Sequence, residues 1–460
     1  MPIQIILLLP VLIATVGAVL LYRRAAAMRA SSTEKVHSLP QFYAYLCALL
    51  VVVPGYIVMV AWLLLEPAAL NAVIVSALPD SMTSGVETAR LSLIISEVRQ
   101  AAIGVTFGEP SPEVVAAAQE FTAASEMSRW LLPALILLLG LAAIYYVYGR
   151  VSARFRARNT AETVTRWLMI ACAALAIAVT LGILLSLLFE GLRFFAVVPI
   201  TEFLFGTNWD PQIAIRPDQV ASSGAFGAVP IFVGTIVIAF TAMAVAFPVG
   251  LFAAIYMSEF APRSVRSVAK PLIEILAGIP TIVYGFFAVL VVSPAIRGAG
   301  DAIGVTVSPT AAIVPGLVMG VMLIPFISSL SDDALRAVPR ALRDGSLGLG
   351  ANNAETVMKV ILPAAIPGIV GGVLLATSRA IGETMIVVMA AGLTANLTAN
   401  PLDGVTTVTV QIVSLLIGDT SFDNPKTLAA FGLGLSLFLG TLLLNLVALQ
   451  IVKHYREQYD

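Results

Sequence analysis

Apolar residues in this chain gather in long unbroken runs, not in alternation or in narrow helical stripes. Nine runs stand out, at 3–22, 42–65, 130–149, 167–189, 226–257, 271–293, 310–330, 361–392 and 428–452. About 20 apolar residues in a helix cross the hydrocarbon core of a bilayer. In lipid, backbone polar groups are satisfied only within a helix or a closed barrel. Barrel strands alternate in hydropathy, so continuous runs exclude that architecture. The pattern predicts an all-α polytopic membrane protein with about nine spanning helices, several long enough to tilt or to extend past the bilayer. Between the second and third runs lies a long polar segment, 66–129, in which 91–105 has the apolar spacing of a short amphipathic helix.

Composition agrees with this pattern and narrows the function. The chain has 460 residues, 59% hydrophobic and only 12% charged, with a net charge of −1. Soluble domains carry about 25% charged residues. A soluble globule, a disordered linker and a nucleic-acid binder are all excluded on these grounds. Basic residues set the expected topology. The first run is followed, not preceded, by Arg23 and Arg24, which is the reverse of a cleaved signal peptide and predicts an anchor that starts outside. Alternating from there puts 18 of the 26 basic residues in inner segments and 7 in outer ones, with Arg379 left inside a span. The amino terminus is expected in the periplasm and the carboxyl terminus in the cytoplasm.

Three parts follow from this reading. Residues 1–150 form a three-helix membrane extension whose outer loop, 66–129, holds eight acidic residues and no recognisable site chemistry. It reads as a packing or docking appendage. Residues 151–166 are a basic cytoplasmic linker suited to anionic lipid. Residues 167–460 form a six-span domain with a long inner loop at 331–363.

Few residues are available for chemistry. Cys47 and Cys172 lie inside apolar runs and read as small buried hydrophobes, and His37 and His454 are isolated. No zinc-type cluster and no nucleophile–histidine arrangement is present in the sequence, so no catalytic or metal-binding residues are assigned. None of the five lysines follows a glycine, so the chain has no phosphate-binding Walker loop. Nucleotide, if it drives the work, binds another subunit.

Two segments carry candidate function. In 331–363, Asp332 and Asp333 suit a helix start, Pro339 suits the first turn of a second short helix, and Gly348 and Gly350 end it. Asn352 and Glu355 have capping-box spacing for the next helix. The result is a compact knob that either meets a partner or merely connects. In span eight, Arg379 and Glu383 are four residues apart, which on a continuous helix puts them about 5–6 Å from each other. Unpaired charge at this depth costs at least about 2.5–3.5 kcal/mol, so the pair must face protein or water. It is either an intrahelical staple or a site on a translocation path, where an arginine fork suits an oxyanion. Glu274, one turn from Lys270, is expected to pair with it at the inner interface.

These motifs resemble known ones. Asp344-Gly345-Ser346, three residues, Gly350, nine residues, then Val360-Ile361-Leu362-Pro363 resembles the EAA loop of ABC importer permeases, with Asp for Glu and Gly-Ser for Ala-Ala. The run Arg379-Ala380-Ile381-Gly382-Glu383-Thr384-Met385 resembles the permeases of bacterial phosphate ABC importers, in the PstC form rather than the PstA form. Segments 202–211, 226–230, 258–262 and 273–285 follow in family order, and the resemblance covers about 167–453. It implies a MetI-like permease core of six helices, importing inorganic phosphate across the bacterial inner membrane by alternating access. Implied partners are a PstA-like permease, a PstB-like ATPase dimer that binds ATP and Mg, and a PstS-like periplasmic phosphate-binding protein. Arg379, Glu383 and Thr384 would line the substrate path. Asp344, Gly345, Ser346, Gly350, Leu362 and Pro363 would form the loop that couples to the ATPase. Import of another oxyanion, or secondary transport or channel activity without an ATPase, stays open at this point.

Overall fold

The computed structural model describes residues 3–32, 36–79, 82, 88–105, 111–213, 223–417 and 424–456. Among them, nine helices are long and apolar enough to cross a membrane. By internal contacts the chain divides into two units, Met1–Ala178 and Val179–Asp460.

The first unit contains α1 (Ile3–Ser31), α2 (Pro40–Ala77), α3 (Thr88–Ala102), α4 (Pro112–Gly149) and the beginning of α5 (Ala157–Val197). Glycines bring α1, α2 and α4 together. A Cβ on Gly17 would lie 2.7 Å from Ile144, and one on Gly140 would lie 2.7 Å from Ile13. Small residues at crossings are how helices approach in lipid, where hydrophobic burial gives little drive. Leu21, Tyr43, Leu46, Cys47 and Val51 fill the space between them. The Tyr43 hydroxyl donates to the Ser152 carbonyl at 2.8 Å and so pins the basic linker to α2. Much of 66–129 is helical, because α2 and α4 continue past their apolar runs. The amphipathic α3 packs on those extensions through Val98 against Ile74, Val114 and Ala117. Cys172 is exposed on α5, unlike the buried Cys47, and both are free thiols.

The second unit opens with the end of α5, then α6 (Ile200–Phe205) and a small antiparallel hairpin, β1 (Trp209–Ile213) with β2 (Ser223–Phe226). Phe194, Phe203, Trp209 and Phe226 meet edge to face and seat this hairpin. Next come α7 (Val229–Ile255), α8 (Arg263–Gly278), α9 (Thr281–Phe287), α10 (Ser293–Ala302) and α11 (Ile313–Ala337). After these follow α12 (Arg340–Gly348), α13 (Asn353–Thr356), α14 (Leu362–Ile381), α15 (Met385–Ala390), α16 (Val408–Leu416) and α17 (Pro425–Arg456). α11 is the most enclosed spanning helix and lies between α7 and α14. Gly316 and Gly320 face Thr241 and Ala242 of α7, and Gly372 faces Leu330.

Three π turns, Tyr256–Phe260, Ala288–Val292 and Val357–Ile361, each lie one residue before a proline-bearing dipeptide step: Ala261-Pro262, Ser293-Pro294 and Leu362-Pro363. Proline offers no N–H and crowds the carbonyl four residues earlier, and widening the preceding turn relieves both.

Two expected spans are corrected. The sixth does not run over 271–293. Arg263–Gly278 is instead an amphipathic helix that buries none of its residues in this chain, and the membrane-length segment is Thr281–Ala302. The reason is Pro280, which holds Ile279 in an extended conformation and interrupts the helix. The eighth does not run unbroken over 361–392. It ends at Ile381 and resumes at Met385.

Candidate functional site

The break in the eighth span contains Arg379, Glu383 and Thr384. α14 terminates because Gly382 lacks side-chain support for a helix and the N–H of Glu383 turns back to the Ala380 carbonyl at 3.2 Å. The Glu383 carboxylate then folds forward. Its Oε1 accepts from the N–H groups of Met385 at 3.0 Å and Ile386 at 3.4 Å, capping α15. The Glu383 carbonyl accepts from the Thr409 hydroxyl at 2.9 Å, which ties the break to α16. Thr384 Oγ1 donates to the Gly382 carbonyl at 3.3 Å.

The expected intrahelical pair of Arg379 and Glu383 is therefore absent. The helix ends between them, and the first N–H groups of α15 have no partner within their own helix. Capping them satisfies the carboxylate without the arginine. Arg379 sits on the exposed face of α14, with its guanidinium 6.0 Å from the centre of the Phe326 ring. Among the described residues no carboxylate pairs with it. Ser378 beside it is turned the other way, donating to Asn445 of α17 at 3.2 Å.

The loop between α11 and α14 is the second candidate. α12 starts after Pro339, ends at Gly348, and buries none of its residues in this chain. Gly350 follows at φ +90°, a left-handed conformation that glycine adopts without steric cost. The Asn352–Glu355 capping box is formed in both directions, at 2.9 and 3.0 Å. Asp344 and Gly345 are exposed, and Leu349 at the tip is 92% exposed. Ser346 Oγ lies 2.9 Å from Thr356 Oγ1 and links α12 to α13. Leu362 and Pro363 begin α14 just beyond the third π turn.

Asp332 is not a helix start. It lies inside α11, only 1% exposed, and its carboxylate holds Arg266 at 3.2 Å, Lys270 at 3.1 Å and Arg336 at 3.0 Å. Lys270 thus pairs with Asp332 and not with Glu274. One of these links, Asp332 to Arg336, has i, i+4 spacing and was legible in the sequence. Also unforeseen is the fork between Arg343 of α12 and Glu259 in the π turn that follows α7, with bonds of 2.8 and 2.9 Å. Neither Glu259 nor Arg343 stands out locally, since 84 residues separate them.

Several known proteins are similar to this chain. Residues 6–179 match a family described as a phosphate ATP-binding cassette transporter, and 246–457 match the binding-protein-dependent transport system inner membrane component. The probable ABC transporter permease protein YqgH of Bacillus subtilis is 33% identical over 297 residues, covering 63% of this chain and 90% of the relative. The phosphate transport system permease protein PstC 1 of Mycobacterium tuberculosis is 33% identical over 278 residues, covering 55% of this chain and 81% of the relative. A solved bacterial alginate ABC transporter chain is 14% identical with a TM-score of 0.45, covering 64% of this chain and 97% of that one. Multiple apolar spans, the transport-component match and the permease relatives define a multi-pass inner-membrane permease subunit of an ABC importer. Within that class, the chain belongs to the PstC family of phosphate transport permeases. The amino-terminal part has a phosphate-transporter family match of its own.

Proposed function

We propose that this subunit forms half of an ATP-driven pathway that imports inorganic phosphate by alternating access. Arg379 is the observation that carries the substrate reading. It is a permanently charged group in a membrane-crossing helix, with no carboxylate partner among the described residues. Its planar fork offers two parallel donors to a tetrahedral oxyanion. Thr384 adds a hydroxyl beside the same break, held among the described residues by a long bond to Gly382. Glu383 shapes the break as a cap and does not serve as counter-ion.

The second half of the path belongs to a PstA-like permease, and a PstS-like periplasmic protein delivers phosphate at the outer face. On the inner face, α12 and the exposed Leu349 dock into a PstB-like ATPase dimer, which binds ATP and Mg. The amino terminus lies in the periplasm, and the carboxyl terminus and α12 lie in the cytoplasm. Asp344, Gly345, Ser346 and Gly350 present the docking knob, and Leu362 and Pro363 connect it to α14. The test is uptake of labelled phosphate into proteoliposomes holding the four-component complex. Uptake is expected only with internal-face ATP and only when this subunit is included. Uptake without ATP, or transport of sulfate in preference to phosphate, overturns the reading.

A further inference from the structure

α12 has very little holding it to the rest of its own chain. None of its residues is buried, and its only hydrogen-bonded side-chain links among the described residues are two. Ser346 meets Thr356 locally. Arg343 reaches Glu259, at the π turn that closes α7. That second link is built for rigidity. The fork is bidentate at 2.8 and 2.9 Å, and the Glu259 side chain is 7% exposed. The Ser258 hydroxyl donates to Glu259 Oε1 at 3.0 Å and orients the acceptor. Arg343 Nε is buried without an acceptor among the described residues, so the two fork bonds are the hydrogen bonds by which the guanidinium is held there.

Beyond Glu259 the connection continues without slack. α7 packs on α11 through glycine contacts, with a Cβ at Gly320 only 2.9 Å from the Ala242 carbonyl and one at Gly250 3.0 Å from Ile327. α8, which follows the π turn, is bound to the same α11 through Arg266 and Lys270 on Asp332. Close-packed helices of this kind move as bodies. A displacement of α12 therefore reaches the spanning helices through two side-chain links, the single Ser346–Thr356 bond into the segment that continues as α14 and the stiffer, bidentate fork from Arg343 to Glu259. We infer that the Glu259–Arg343 fork is the contact that transmits movement of the docking helix to α7, so that both are positioning residues for coupled transport. This rests on the proposal that α12 docks on an ATPase.

The experiment uses the complete importer in proteoliposomes and measures phosphate uptake per ATP hydrolysed, with the amount of assembled complex as normalisation. Docking is monitored separately by a benzophenone attached at Leu349→Cys in a Cys47→Ala, Cys172→Ser background. In Glu259→Gln and in Arg343→Met, crosslinking to the ATPase is expected to persist while uptake per ATP falls by about tenfold, within the usual range of coupling between sites. The reversed pair, Glu259→Arg with Arg343→Glu, is expected to recover at least part of the ratio. If Glu259→Gln fails to assemble, Arg343→Lys decides, because it keeps the charge and loses the fork. A reduced ratio in that variant supports the inference, and an unchanged ratio overturns it. A merely structural pair lowers the amount of complex and leaves uptake per ATP intact, which overturns transmission alone. Absence of crosslinking from the unaltered fork overturns the docking proposal and this inference with it.

Discussion

Arg379 and Glu383 are four residues apart, yet no ion pair joins them in the structure, which predicts a weak coupling that is directly measurable. A paired arrangement within the membrane predicts that removing one charge strands the other, at a cost of about 3–5 kcal/mol, and that removing both is much less harmful. The observed geometry predicts otherwise. Glu383 spends its carboxylate on the N–H groups of Met385 and Ile386, so Glu383→Ala loses a helix cap worth about 1 kcal/mol. Glu383→Gln retains an amide oxygen and loses less. Among the described residues, Arg379→Met strands no carboxylate and forfeits a distant contact with Phe326, worth at most about 0.5–1 kcal/mol. The coupling energy between the two substitutions is expected below about 0.5 kcal/mol, as for independent sites.

Uptake separates them further. Hydrogen bonds to charged groups contribute about 1.5–3 kcal/mol each, so a two-bonded anion loses at least about 3 kcal/mol with Arg379→Met. That corresponds to a fall of about 100-fold or more in transport at low phosphate. Arg379→Lys is expected to recover only part, because an ammonium cannot present the fork. The assays are thermal loss of assembled complex for stability and labelled phosphate uptake per assembled complex for function. A coupling energy near 3 kcal/mol would mean that the two charges pair after all. Near-normal uptake by Arg379→Met would remove the arginine from the substrate path.

Two further outcomes are expected. In a Cys47→Ala, Cys172→Ser background, Leu93→Cys on exposed α3 is expected to react with an impermeant thiol reagent added outside, and Leu349→Cys only after permeabilisation; the opposite pattern reverses the topology. Asp332→Ala removes the shared acceptor of three cations that are themselves a quarter to a half exposed, so a loss of about 2 kcal/mol is expected, against about 0.5 kcal/mol for Arg336→Met, both read from thermal loss of complex.

How far the sequence was legible depended on whether a feature was local. The nine apolar runs were visible because each is continuous, and the capping box at Asn352 and the turn at Gly350 because their signals lie within four residues. Helix ends were hidden where a helix outlasts its apolar run, as in α2 and α4, since tertiary contact with α3 supports the extra turns. The position of the sixth span turned on one residue, Pro280, set in an otherwise favourable apolar run. The ionic links were hidden for a different reason. Asp332 meets Arg266 and Lys270 across 66 and 62 residues, and Glu259 meets Arg343 across 84, separations that only the packing of α7, α8 and α11 brings together.

Span eight combines both kinds of failure. Four-residue spacing identifies neighbours only while the helix continues, and whether it continues at Gly382 depends on competition for one carboxylate. Arg379 offers Glu383 an ion pair across an unbroken turn. The open N–H groups of Met385 and Ile386 offer it two hydrogen bonds once the turn is broken. Breaking the helix also gives the Glu383 carbonyl a donor, the Thr409 hydroxyl 26 residues further on. That distant bond adds to the support of the broken form. The break leaves Arg379 without a carboxylate among the described residues, so the same backbone interruption that cancels the expected staple leaves the guanidinium unpaired, as the proposed role on an anion path requires.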